Sequence, residues 1–245
     1  MSEVGDKLCR TKLLKVYRDQ TAEGSTMETY QELKEYQREH RDNWGQGIGI
    51  RVHRALSWLQ RAEQERANSD TDAEFIFLWI SFNAAYVNEH TNETRCNTRQ
   101  NYTQFFERLL AHDIDGYFYG LVWDHYTQAI RSLLNNKFVF QPFWDSANGI
   151  TDSDSWKESF AAAKRAANNS LAAQDTLTVL SIVMDRLYTL RNQLIHGGAT
   201  WGGRLNRDQL KDATNFMREL MPLVIRFMME NATELWGDAI YITEN

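Results

Sequence analysis

Arg191, Asn192 and His196 stand close together near the end of a long apolar run that reads Leu190-Arg-Asn-Gln-Leu-Ile-His-Gly-Gly-Ala-Thr-Trp201. A histidine takes or gives a proton near neutral pH. An arginine holds a phosphate through two parallel N–H bonds. The combination suits proton transfer on an anionic substrate. Asp185, Tyr188, Asn192 and His196 follow helical spacings of three, four and four, so they form a polar stripe with Arg191 at its border. A hydrogen-bonded core network would satisfy the same spacing, and spacing alone does not choose between the two readings. Nowhere else do an Arg, an Asn and a His fall this close together on a helix that should be buried.

The element that must carry them is a helix. Leu177, Leu180, Val183, Met184, Leu187, Leu190 and Leu194 recur at helical intervals from Asp175 to His196, and Asp175 is a candidate N-cap. At about 1.5 Å per residue this segment spans roughly 33 Å. Gly197 and Gly198 stop it by permitting a left-handed cap. Asn206 should cap a last helix, Arg207 to Glu230. Upstream, Phe75 to Tyr86 is apolar nearly all round, so a helix over 73–89 should be central and buried, with Asp72 as its N-cap. Asn83 is the polar exception there. It is either a satisfied core amide or a neighbour of the Arg191–His196 segment.

Further helices are expected over 28–41, 50–67, 98–111, 117–134 and 156–167, with Phe138 to Trp144 as an apolar connector. Trp44 to Gly49 reads as a flexible loop; no strand precedes it, so it is not a phosphate-binding loop. No strand pattern and no internal repeat are found. The expected class is all-α: residues 1–50 an N-terminal helical extension, 51–235 a helical domain with long core helices, and 236–245 a C-terminal tail.

Composition narrows the function. The chain has 245 residues, a net charge of −6 and only two prolines. The charge argues against a general nucleic-acid coat. It is uneven, however. From Arg186 to Arg218, six basic residues including Arg204 and Arg207 face only Asp208 and Asp212, a local surplus of four. Either a basic surface for phosphates or a salt-bridged helix fits this. Cys9 and Cys96 are isolated, which fits a reducing, cytoplasmic setting. His112 and His125 lack ligand-spaced neighbours and read as surface or core histidines, so no metal and no cofactor are expected. No apolar run approaches a membrane span.

Arg191-Asn192-x-x-x-His196-Gly197, at the end of a long helix, resembles the R-x4-6-H signature of the HEPN superfamily. The form is that of its Apea-like branch. Trp79 to Tyr86 is similar to an early helix of that branch, and the likeness covers roughly Val52 to Glu230. The resemblance implies a HEPN-like helical bundle and a metal-independent endoribonuclease, a toxin or an antiviral defence effector. It cleaves RNA by attack of the 2′-OH. His196 would move the proton, Arg191 would hold the phosphate, and Asn192 would orient His196 or the phosphate. Tyr188, Asn83, Arg204 and Arg207 would support the site or bind RNA. The resemblance further implies a homodimer through the Arg191–His196 helix, and an antitoxin or sensor protein as a possible partner. A non-catalytic HEPN module, binding RNA or a nucleotide or only dimerising within a larger complex, is the alternative.

Overall fold

The computed structural model describes residues 28–87, 95–204, 206–234 and 236. The amphipathic segment around Leu8 to Tyr17, the two cysteine side chains and the tail beyond Trp236 lie outside them. Among the described residues every regular element is a helix, and no strand occurs. The helices are α1 (Tyr30–His40), α2 (Gln46–Ala67), α3 (Thr71–Tyr86), α4 (Arg95–Ala111), α5 (Tyr117–Gly120), α6 (Thr127–Asn135), α7 (Gln141–Ala147), α8 (Ser155–Ala172), α9 (Thr176–Ile195) and α10 (Arg207–Glu230). No described helix is long and apolar enough to cross a membrane.

The apolar α3 is the pivot, as its composition predicts. It packs most extensively on α2 and next on α10, and it also touches α4 and α9. Phe75, Leu78, Trp79, Phe82 and Ala85 are all buried. Phe82 lies within 4.7–6.0 Å, centroid to centroid, of Trp79, Tyr86, Tyr102, Phe105 and Phe106. Trp79 in turn meets Tyr188 of α9 at 6.1 Å. Asp70, not Asp72, caps α3, accepting from the Ala73 N–H at 3.0 Å. Asp175 caps α9 as expected, through the Thr178 N–H at 3.0 Å.

The segment 44–49 departs from the expected loop. Helix α2 begins at Gln46 and runs unbroken past residue 50, with Gly45 as its extended N-cap. Two glycines in the first turn are tolerated because Ile48 is buried between them and the Gly49 N–H already bonds the Gly45 carbonyl at 3.2 Å. Helix α1 adds Leu33 to the same core, and the Tyr30 N–H is held by Glu63 of α2 at 2.7 Å. Residues 28–50, expected as part of an extension, therefore pack with the body.

The expected helix over 117–134 is also broken. A π-helical turn, Leu121–His125, separates α5 from α6. The Thr127 hydroxyl donates to the Val122 and Trp123 carbonyls at 3.1 and 2.6 Å, absorbing acceptors that the wider turn frees. The connector 138–144 is not a plain loop: a 3-10 turn, Lys137–Val139, leads into α7.

The aromatic cluster is the stability centre, because Phe82 is fully buried and ringed on several sides. Phe82→Ala should cost about 3–5 kcal/mol in urea denaturation, the range for truncating a buried phenylalanine. A loss below about 1 kcal/mol would show that α3 is not the organising helix.

Candidate functional site

The last turn of α9 carries the candidate residues. His196 is the C-cap, with its N–H on the Asn192 carbonyl at 3.0 Å. Gly197 follows at φ +69°, the left-handed conformation that ends the helix. The chain then folds back so that the Ala199 N–H reaches the Gln193 carbonyl at 3.1 Å. A side chain at Gly198 would come within 3.2 Å of that carbonyl, which is why a second glycine stands there.

The loop beyond is tethered to the start of α3. The Trp201 indole N–H donates to Asp70 at 3.0 Å, and the Gly202 N–H to Asp72 at 3.4 Å. The Arg207 guanidinium clasps both oxygens of Asp72 at 2.7 and 3.2 Å, while its Nε holds the Gly203 carbonyl at 2.9 Å. Two aspartates on one helix terminus thus fix the loop that leaves His196.

His196 is exposed, and among the described residues its ring has no hydrogen-bond partner. Ile195 and Trp201, 44% and 78% exposed, flank it. Arg191 is half-buried. Its Nη1 donates to the Asn192 side chain at 2.9 Å, its guanidinium lies 5.9 Å from the centre of the Tyr188 ring, and its buried Nε has no partner. Asn192 therefore orients Arg191, not His196. Tyr188 sits beneath the arginine and against Trp79. Asn83 stands apart. The start of α3 meets the loop that leaves α9, through Asp70 and Trp201, and Trp79 meets Tyr188 earlier on α9, so Asn83 lies one turn beyond Trp79, away from the His196 end.

Of the two readings of the basic stretch, the salt-bridged one holds at Arg207 and Arg218. Arg207 is taken by Asp72, and Arg218 by Glu74, whose carboxylate is buried and receives the Arg218 Nη2 at 2.7 Å. Arg186 is buried with its guanidinium 4.4 Å from the Phe140 ring centre. Arg204 is exposed. The surplus counted along the chain between 186 and 218 is balanced in space by acids of α3. Asn206, expected as a cap, adopts φ +52° and makes no capping bond. Its amide donates to the Gln193 side chain at 2.9 Å.

Sequence reasoning also missed a carboxylate on each of His112 and His125. His125 Nδ1 lies 2.9 Å from Glu219, whose second oxygen accepts the Tyr126 hydroxyl at 2.8 Å. His112 lies 3.6 Å from Glu234. Both acids are about a hundred residues away along the chain, so spacing could not reveal them. For Asp70, Asp72 and Glu74 a signal did exist: three acids open an otherwise apolar helix. Among the described residues no three His, Cys, Asp or Glu side chains gather as a metal site.

Compared with protein-family models, with curated proteins and with solved structures, the chain gives no match. What the fold and the site define is an all-α bundle with an exposed histidine and a nearby arginine at a glycine-stopped helix end.

Two outcomes follow from these contacts. Asp72→Ala should cost about 2 kcal/mol, the scale of a lost charge-assisted hydrogen bond, and should speed proteolysis within 197–206; unchanged proteolysis would show that the loop holds without its clamp. Asp212 lies beside Ile130, Leu133, Leu187 and Phe216, and burial, with Asp208 nearby, raises its pKa. A carboxyl easier to protonate in the folded chain weakens the fold as pH rises from about 4 through its folded pKa. Asp212→Asn should therefore raise the melting temperature at pH 7, and the gain should vanish below about pH 4. An equal gain at both pH values would mean that charge is not the cause.

Proposed function

We propose that this chain is a HEPN-type, metal-independent endoribonuclease that acts as a toxin or defence effector, with Arg191 and His196 in the reacting site. The observation that carries the reading is the exposed His196 ring near a half-buried Arg191 to which no described carboxylate is bonded. An arginine in that state has charge available for a phosphate. In the reaction, the substrate 2′-oxygen loses its proton and bonds to phosphorus. The bond from phosphorus to the 5′-oxygen breaks, and the departing oxygen takes a proton. His196 suits one of the two proton transfers, and Arg191 suits the charge that builds on the phosphoryl oxygens.

Among the described residues, one chain offers a single histidine at this end of α9. A second copy meeting the first at Ile195, His196 and Trp201 would supply the other proton-transfer group and cover the apolar side chains. The proposal thus includes a homodimer with α9 ends facing one another. Binding without cleavage is the second reading. Within that reading, the pairing of Arg207 and Arg218 with Asp72 and Glu74 favours a short ligand such as a nucleotide, because fewer cations remain for a long RNA.

The two readings separate in one experiment. Wild type, His196→Ala and Arg191→Lys are incubated with single-stranded RNA in EDTA. Cleavage leaving a 2′,3′-cyclic phosphate, reduced about 10²–10⁴-fold in His196→Ala, supports the nuclease. Arg191→Lys keeps the charge but loses the fork, so it should also be impaired. RNA binding with no cleavage in any variant would replace the nuclease by the binding module. Sedimentation of the wild type as a monomer at micromolar concentration would remove the dimer.

A further inference from the structure

A box of aromatic rings stands on the opposite side of Gln193 from Arg191. The Lys137 Nζ lies 5.1 Å from the ring centres of Phe138 and Phe143 and 5.7 Å from that of Trp156. The walls are nearly orthogonal. Phe138 meets Phe143 at 89° and 5.4 Å, and Phe143 meets Trp156 at 88° and 5.0 Å. Three faces therefore converge on one ammonium. Ring faces carry negative potential and attract a cation.

The box is rigidly mounted. The Phe138 carbonyl accepts from the Trp144 indole at 2.7 Å and from the Gln193 amide of α9 at 2.5 Å. Its neighbour along the same aromatic wall is a useful contrast. Arg186 lies between Phe140 and Phe160, but it is 2% exposed and built into α9, so it is a fixed part of the core. Lys137 is exposed, on a flexible stem. Among the described residues its ammonium makes no ion pair and no hydrogen bond. Rings are poor hydrogen-bond acceptors for an ammonium's N–H donors. The walls thus suit a cation that has no N–H donors and sheds water cheaply.

We propose that Phe138, Phe143 and Trp156 form a binding site for a trimethylammonium group, and that Lys137 is its built-in competitor. The bound group places its methyls against the three rings, and the lysine stem swings into solvent. This site is independent of the RNA-cleavage reading, because neither Arg191 nor His196 takes part.

The test uses the full chain with choline, free Nε-trimethyl-lysine and 3,3-dimethylbutanol, the neutral isostere of choline. Ligand methyl proton shifts are followed by NMR, because ring currents in such a box move them upfield. A saturable upfield shift is expected for the cations, about tenfold tighter in Lys137→Gln than in wild type, and none for the isostere. The tighter of the two cations identifies the carrier of the group. Equal binding of the isostere would mean a generic apolar patch and overturn the site. So would choline binding no tighter in Lys137→Gln, or choline binding that survives Trp156→Leu. If Trp156→Leu does not fold, the comparison of cation with isostere in Lys137→Gln still decides.

Discussion

The bidentate pair between Asp72 and Arg207 is the constraint on which the candidate site depends. It joins the first turn of the apolar helix α3 to the residue that opens the last helix. From Gly197 to Arg204 the chain makes a short excursion whose backbone is bent by Gly197 and Gly202 at positive φ. Gly203 allows no side chain, because a Cβ there would lie 2.6 Å from the Thr200 hydroxyl. Such a loop has little apolar contact of its own. Its position is set from outside, by Asp70 on Trp201 and Asp72 on Gly202 and Arg207. Asp70 does two tasks at once, since the carboxylate that meets Trp201 also caps α3. The helix start that needs acceptors for its free N–H groups is thereby the anchor for the loop beside His196.

The same pairing explains how an acidic protein can carry a basic stretch without exposing a basic face. Helix α3 opens with Asp70, Asp72 and Glu74 and is apolar thereafter. Its acids lie where the helix dipole favours negative charge, and they meet Arg207 and Arg218 from the far end of the chain. Glu74 is buried against the Arg218 guanidinium, and this hydrogen-bonded pairing raises the Arg218 pKa. What remains outside these pairs at the end of α9 is Arg191, bound to Asn192, and the open ring of His196.

The helical class, the burial of Phe75 to Tyr86, the Asp175 cap and the glycine stop after His196 were all legible in the sequence, because each rests on local periodicity or on a residue's own conformational preference. The misreadings share a different cause. Trp44 to Gly49 reads as a loop by composition, yet burial of Ile48 outweighs the helix penalty of two glycines. Asn206 holds the N-cap position as expected, but its amide is drawn to Gln193 in place of a side-chain capping bond. Asp72 looks like a cap, but Asp70 takes that place and frees Asp72 for Arg207. Within the site, the short-range relation of Arg191, Asn192 and Tyr188 was legible. The position of Asn83 and the neutralisation of Arg207 were not, because they depend on which helix lies opposite.

The geometry of α9 itself limits how the site can work. Residues five apart on a helix point about 140° from each other, so Arg191 and His196 do not share one face. Arg191 leans toward Tyr188 and α3, while Gln193, on the other side of His196, leans toward Phe138. A phosphate seated on the Arg191 of one chain is therefore approached more directly by a histidine from outside that chain than by its own His196. The exposed Ile195 and Trp201 beside the histidine give an apolar surface through which a second chain could bring that group in. On the proposed reading, this asymmetry of one helix is what a second copy would complete.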